Sequence, residues 1–166
     1  MIKYSISDTL TLAAHINMSG CLKDLNNFIL NEGCADAMPV FVGNEVVIDT
    51  DCIERKIARK ERRNRNKSMD SSFVIIDDIN SSKEIMLVEF RFNYQNMKNL
   101  NQQELFDKVI GTIQALNYPS NIHNKYIYIF NSNLKQQAIR RFRNMVPSMP
   151  NNYIATDIRD LKATYF

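Results

Sequence analysis

Two short stretches of the chain, 73 to 76 (FVII) and 85 to 88 (IMLV), are apolar at every position and rich in β-branched and aromatic residues. The segment between them is polar and has turn chemistry, so the pair reads as a β-hairpin with strands over 72 to 77 and 85 to 92. A strand that is apolar on both faces must be covered on both sides, which places this hairpin inside a layered α/β domain. A further strand is expected over 125 to 130, where Tyr and Ile alternate. Leu105, Phe106, Val109, Ile110, Ile113 and Leu116 form an apolar stripe that predicts a helix over 102 to 117, lying on the sheet and ended by Pro119.

The remaining periodicity is weaker. Leu10, Ala13 and Ala14 predict a helix from Thr9 toward Ile16, capped by Asp8. Leu22, Leu25, Phe28 and Ile29 predict another from about 21 to 31. Between Pro39 and Asp49 stand two β-like runs, VFVG and EVVID, one of which should be the first strand. Residues 51 to 63 are good helix formers and 64 to 67 are Asn-rich, giving a helix or a mobile loop. A last helix is expected over 134 to 145, and the tail adds a short strand or helix. No repeat or low-complexity linker divides the chain, whose 166 residues suit one domain.

Against this apolar frame, three charges at the open end of the hairpin carry the information: Asp70 before the first strand, and Glu89 and Arg91 at the end of the second. A turn centred near Asn80 and Ser81 sets Ser72 opposite Glu89 and Asp70 opposite Arg91. Period-two alternation then gathers all three on one face. Asp77 and Asp78 fall at the turn end, a strand length away.

An Asp entering one strand, a turn, and an apolar strand ending in acid-x-base resembles the core of the PD-(D/E)XK nuclease superfamily, here as Asp70 and Glu89-Phe90-Arg91. The segments QQELFDKVIGTIQAL and KYIYIFNS resemble that family's next helix and strand. The likeness runs from about 68 to 133, lacks the Pro before the Asp, and has Arg91 where the family usually has Lys. It implies a restriction-endonuclease-like mixed sheet flanked by helices, and phosphodiester hydrolysis of DNA or RNA. Asp70, Glu89 and the Phe90 carbonyl are the implied ligands of Mg²⁺ or Mn²⁺, with an acid of the first helix (Asp24, Glu32 or Asp36) as a further ligand.

Hard oxygen ligands at a strand end suit Mg²⁺, which keeps most of its waters and takes one or two carboxylates from protein. Such an ion supplies charge neutralisation and a water-derived nucleophile. Arg91 stays protonated and cannot serve as a base, so Lys108 on the following helix is the lysine expected to compensate. The catalytic candidates are Asp70, Glu89, Arg91 and Lys108. The alternative is a metal-free ion cluster closing the sheet end, in a catalytically reduced protein that serves as a partner-binding or nucleic-acid-binding subunit.

Net charge is +3, but residues 51 to 67 hold eight basic and three acidic residues, so this run is about +5 and the remainder about −2. Arg59, Lys60, Arg62 and Arg63 in this run, with Arg140, Arg141 and Arg143 near the C-terminus, are candidate contacts to a phosphate backbone, or else a solvated face. Tyr94 and Tyr118 are loop aromatics available to a nucleic-acid strand. Nucleic acid, first of all DNA, is therefore the expected partner, with a larger protein assembly or a homo-oligomer as the setting. His15 and His123 lack partners at ligand spacing and read as surface or capping residues. Cys21, Cys34 and Cys52 are odd in number and far apart, which reads as reduced, buried thiols. No apolar run reaches membrane-span length and no leader pattern opens the chain, so the expectation is a cytoplasmic protein without a membrane partner.

Overall fold

The computed structural model describes residues 1–36, 38–117 and 121–166, so Pro119 and Tyr118 lie outside the described residues. Seven strands form one mixed sheet: β1 (Ile2–Tyr4), β2 (Leu22–Asp24), β3 (Val46–Asp49), β4 (Ser71–Asp77), β5 (Lys83–Phe90), β6 (Ile122–Phe130) and β7 (Tyr153–Asp157). Helices α1 (Ile6–His15), α2 (Leu25–Asn31), α3 (Thr50–Glu61), α4 (Gln102–Leu116), α5 (Lys135–Asn144) and α6 (Ile158–Tyr165) flank it. The strand order is β2-β3-β4-β5-β6-β7. Pairs from β2 to β5 are antiparallel, and β5-β6 and β6-β7 are parallel. A parallel step needs a crossover, and α4 and α5 supply the two.

The double-faced apolar pattern of the hairpin has its expected cause. Ile85 and Leu87 point into a core built with α1, α3, α4 and α5, through Ala13, Ile53, Leu105, Val109 and Phe142. Met86, Val88 and Phe90 point into a second core, built with α2 and α6 through Leu25, Ile29, Ile158 and Leu161. At about 25 cal/mol per Å² of apolar surface buried, these two layers are the main source of stability.

Several elements differ from the expectation. The hairpin register is shifted: Ser71 pairs Val88 and Ser72 pairs Leu87, because the turn closes tightly, with Ser81 N–H donating to Asp77 O and Asp77 N–H to Ser82 O. Continuing that register sets Asp70 opposite Glu89 rather than Arg91. Helix α1 starts at Ile6, since Ser5 is its N-cap and accepts from Asp8 N–H. Within 21 to 31, Leu22–Asp24 is strand β2, paired with β3, and the helix begins only where Asp24 caps it by accepting from Asn27 N–H. Strand β1 was not anticipated; three residues are too few for a period, and they hold through pairing with the turn-side half of β4. The basic run is helical to Glu61, and the tail forms both strand β7 and helix α6.

Two further readings are corrected. Cys21 and Cys52 form a disulfide, with Cα atoms 5.6 Å apart, and only Cys34 is a free, buried thiol. The 3-10 turn Ser19–Cys21 brings Cys21 onto the first turn of α3, a proximity that sequence spacing does not reveal. His123 is buried rather than exposed, and its Nδ1 stands 2.6 Å from Glu84 Oε2. Among the described residues, no helix is long and apolar enough to cross a membrane.

Candidate active site

Asp70 precedes β4 by one residue, Glu89 is the penultimate residue of β5 and Arg91 follows its end, so all three reach the same end of the sheet. All are buried, Glu89 to 2% exposure. Asp70 Oδ2 accepts the Phe90 N–H at 2.6 Å. Within a strand, the N–H and C=O of one residue point the same way, so the Phe90 carbonyl opens on the Asp70 side. The next N–H, that of Arg91, points oppositely and donates to Ile129 O at 2.7 Å.

Lys108 approaches from α4. Its Nζ lies 2.8 Å from Glu89 Oε1, 3.0 Å from Oε2 and 3.9 Å from Asp70 Oδ1, so one ammonium bridges the two carboxylates. Local contacts fix this approach. Thr112 Oγ1 accepts the Met69 N–H at 2.7 Å and donates to Lys108 O. Gly111 lets the helix lie directly on the chain entering β4, because a Cβ there would overlap the Lys67 carbonyl oxygen. On the α3 side, Thr50 N–H donates to Asp70 O and the Thr50 hydroxyl to Met69 O.

Arg91 is directed elsewhere. Its Nε is 2.9 Å from Glu89 Oε1 but off the hydrogen-bonding line, while its terminal nitrogens donate to Glu104 Oε1 at 2.8 Å and to the Tyr94 hydroxyl at 2.9 Å. The guanidinium carbon also sits 5.3 Å from the centre of the Tyr94 ring. Tyr94 is thereby occupied as a partner of Arg91.

The electrostatics follow from burial. Loss of solvent, and then the neighbouring charge of Asp70, push the Glu89 carboxyl up to about 8, although Lys108 and Arg91 oppose the shift. Burial also raises Asp70, against the pull of Lys108 and of the Phe90 N–H. For Lys108 burial works against its charge, but Glu89 and Asp70 outweigh it and hold the ammonium above its ordinary value. Lys108 is therefore a fixed cation at neutral pH.

Of the three N-terminal acids, Asp24 is spent as a helix cap and Asp36 accepts from the Ser132 hydroxyl. Glu32 is the one that feels the charge of the cluster: burial first, then the charges of Asp70, Asp51 and Asp49, raise its carboxyl. The loop after α2 is tied to the strand ends, with Ala35 N–H donating to Asn131 Oδ1 and Asn131 Nδ2 to Phe92 O. Gly33, at φ 90°, leaves room for the Asn93 side chain, whose Oδ1 would stand 2.7 Å from a Cβ. Glu32 thus comes from the face of α2, and Lys108 from the face of α4.

Sequence reasoning missed Asp51 and Glu104. Asp51, hidden within the basic run, accepts from the Ser68 hydroxyl and adds negative charge near Asp70. Glu104 is the partner that turns Arg91 away, and its place three residues after the cap Asn101 is the one signal it offered. Among the described residues, no three His, Cys, Asp or Glu side chains form a group able to cage a metal. The donors at hand are the Asp70 and Glu89 carboxylates and the Phe90 carbonyl, a set that fits a mostly hydrated Mg²⁺ better than an all-protein cage.

The basic candidates divide. Arg59, Lys60, Arg62, Arg140 and Arg143 are exposed. Arg63 is held by Glu54 at 2.6 Å and Glu61 at 2.6 Å, and Arg141 is half-buried with a terminal nitrogen 3.3 Å from Leu100 O. Comparison with protein-family models, with curated proteins and with solved structures finds no match in any of the three.

Proposed function

We propose that this protein is a metal-dependent nuclease, with a restriction-endonuclease-like fold, that hydrolyses phosphodiester bonds of DNA or RNA. The observation that carries the reading is the Lys108 ammonium bridging Asp70 and Glu89 at the end of an otherwise apolar hairpin. The order hairpin, α4, parallel β6 supports it, being the order in which the resembled family's segments follow its acid-x-base strand. In this reading Asp70, Glu89 and the Phe90 carbonyl hold Mg²⁺ or Mn²⁺, with Glu32 within its field. The ion supplies charge neutralisation at the phosphate and acidifies a bound water. With such an ion bound, Lys108 would be the side chain placed to donate to the phosphate oxygens as negative charge develops. Arg91 is a positioning residue that holds Glu89 and Glu104.

One observation favours a second reading, a catalytically reduced subunit that binds a partner or nucleic acid: Glu89 is already approached by two cations, the arrangement of a self-sufficient ion cluster. Plasmid, single-stranded DNA and RNA substrates incubated with purified protein and Mg²⁺ or Mn²⁺, against EDTA, decide between them. Metal-dependent cleavage lost in Glu89→Ala supports the nuclease. Absence of both cleavage and metal-dependent thermal stabilisation in the parent supports the reduced subunit.

A further inference from the structure

Helices α3 and α4 lie side by side, with their starts near the candidate site. Beyond it, a cleft of about 660 Å³ opens between their C-terminal halves. Lys56, Lys60 and Arg63 stand along it at i, i+4 and i+7, one stripe of a helix. Arg63 is held by the buried Glu54, but two like charges at i, i+4 destabilise a helix, so stability gives no reason for the Lys56 and Lys60 pair. Gln114 and Asn117 face it from α4 and its cap, and Ile57 and Ala115 give it an apolar floor. The acid in the wall, Glu61, is engaged by Arg63, which Glu54 holds in turn. Lys56 and Lys60 are exposed, and no acid pairs with either among the described residues.

We infer that this cleft is a subsite for the nucleic-acid strand, in which Lys56 and Lys60 take two successive backbone phosphates and the apolar floor takes the adjoining sugar and base. The inference rests on the nuclease reading for the place of the scissile phosphate. Gln114 lies six residues along α4 from Lys108, roughly 9 Å at 1.5 Å per residue. Lys60 lies nine residues along α3 from Asp51, roughly 14 Å. At about 3.4 Å of rise per nucleotide along one strand, the cleft falls about three to four nucleotides from the scissile phosphate. An amide such as Gln114 serves phosphate oxygens and base edges alike, and cations opposite a neutral wall suit an anion that continues past the cleft at both ends.

The test measures binding, not cleavage. The full-length protein in EDTA is titrated against a fluorescent single-stranded 20-mer and its duplex across a salt series, comparing the parent, Lys56→Ala/Lys60→Ala and a control pair, Lys3→Ala/Lys125→Ala. The control lysines are exposed and lie near the turn end of the hairpin, away from the site. Loss of two phosphate contacts should lower the log-log salt slope by about 1.4 on the single strand or about 1.8 on the duplex, with the control unchanged. An unchanged slope in the cleft variant, or equal loss in both pairs, overturns the subsite. Cleavage by the parent in Mg²⁺ is scored separately: cleavage without the slope change sinks the subsite alone, and the slope change without cleavage sinks the nuclease reading alone.

Discussion

Lys108 stands 2.8 Å from Glu89. The cation that bridges the two carboxylates thus comes from the neighbouring helix, while Arg91, at the end of the hairpin strand itself, is bound to Glu104 and Tyr94. Removing a fixed donor aimed at developing charge typically costs about 10² to 10³ in rate. Lys108→Met should therefore lower metal-dependent cleavage by that factor and also lower stability, since it leaves the buried Glu89 and Asp70 without their bridging cation, whereas Arg91→Lys should keep or raise activity. Single-turnover rates in Mg²⁺ read both. Equal losses in the two variants would remove Lys108 from its special role.

Glu89 also gives a pH signature. Burial beside Asp70 raises its folded-state value to about 8, against about 4.3 for an unperturbed Glu. Between these two values the folded chain holds a proton that the unfolded chain has released, so this group's contribution to stability falls as pH rises through the window. The parent's stability relative to Glu89→Gln should thus decline from pH 5 to pH 8 and level off above, as read by urea unfolding at fixed salt. A divalent ion competes with that proton, so its binding should strengthen over the same range. A relative stability that climbs with pH would refute the assignment of Glu89 as the raised carboxyl.

How much of this was legible depended on how local each signal is. Hairpin strands apolar on both faces announce a covered sheet, and the stripe on α4 announces a helix lying on it; both follow from side-chain periodicity. Asp70, Glu89 and Lys108 stood out as charges within or beside apolar patterns. The register did not, because one tight turn moves the pairing by two residues while keeping every side chain on its face. Glu32 could not be chosen among three acids, since its position depends on the loop at Gly33 meeting Asn93, sixty residues away. Arg63 looked like its neighbours in the basic run, and only the buried carboxylate of Glu54 separates it from them.

That distinction makes a third prediction. Glu54 is buried and accepts from Arg63 and from Asn66 N–H, contacts that overcome its burial and hold its carboxyl below the usual range. Arg63→Ala should lower the urea midpoint while leaving the salt slope of nucleic-acid binding unchanged. Arg59→Ala and Arg62→Ala should spare the midpoint. A slope change in Arg63→Ala at parental stability would return this residue to the binding face.

The disulfide gives a fourth. Cys21 and Cys52 close a loop across 31 residues, and the chain-entropy relation for such a loop gives about 3 to 4 kcal/mol. Reduction, or Cys52→Ser, should lower unfolding free energy by up to that amount; Cys52→Ser should then be insensitive to reductant, while Cys34→Ser, at a buried thiol outside the bridge, should keep the parent's sensitivity. Equal midpoints with and without dithiothreitol would mean that the bridge contributes nothing.

Gly111 gives the last prediction, which separates fold from site. In an exposed helix interior, Gly→Ala stabilises by about 1 kcal/mol, because alanine restricts the unfolded chain. Here the added methyl would overlap the backbone carbonyl of Lys67, which has no side-chain freedom with which to yield. Overpacking of this kind costs about 1 to 3 kcal/mol and outweighs the propensity gain. The displacement would fall on residues 67 to 69, whose Met69 N–H is held by Thr112, and would carry Asp70 away from Lys108. Gly111→Ala should therefore lose cleavage and metal-dependent stabilisation together, at an unfolding free energy reduced by about 1 to 3 kcal/mol. Thr112→Ser, which keeps the acceptor, should retain both functions. Cleavage at the parental rate in Gly111→Ala would show that close seating of α4 on the entry to β4 is not what aligns Asp70 with Lys108.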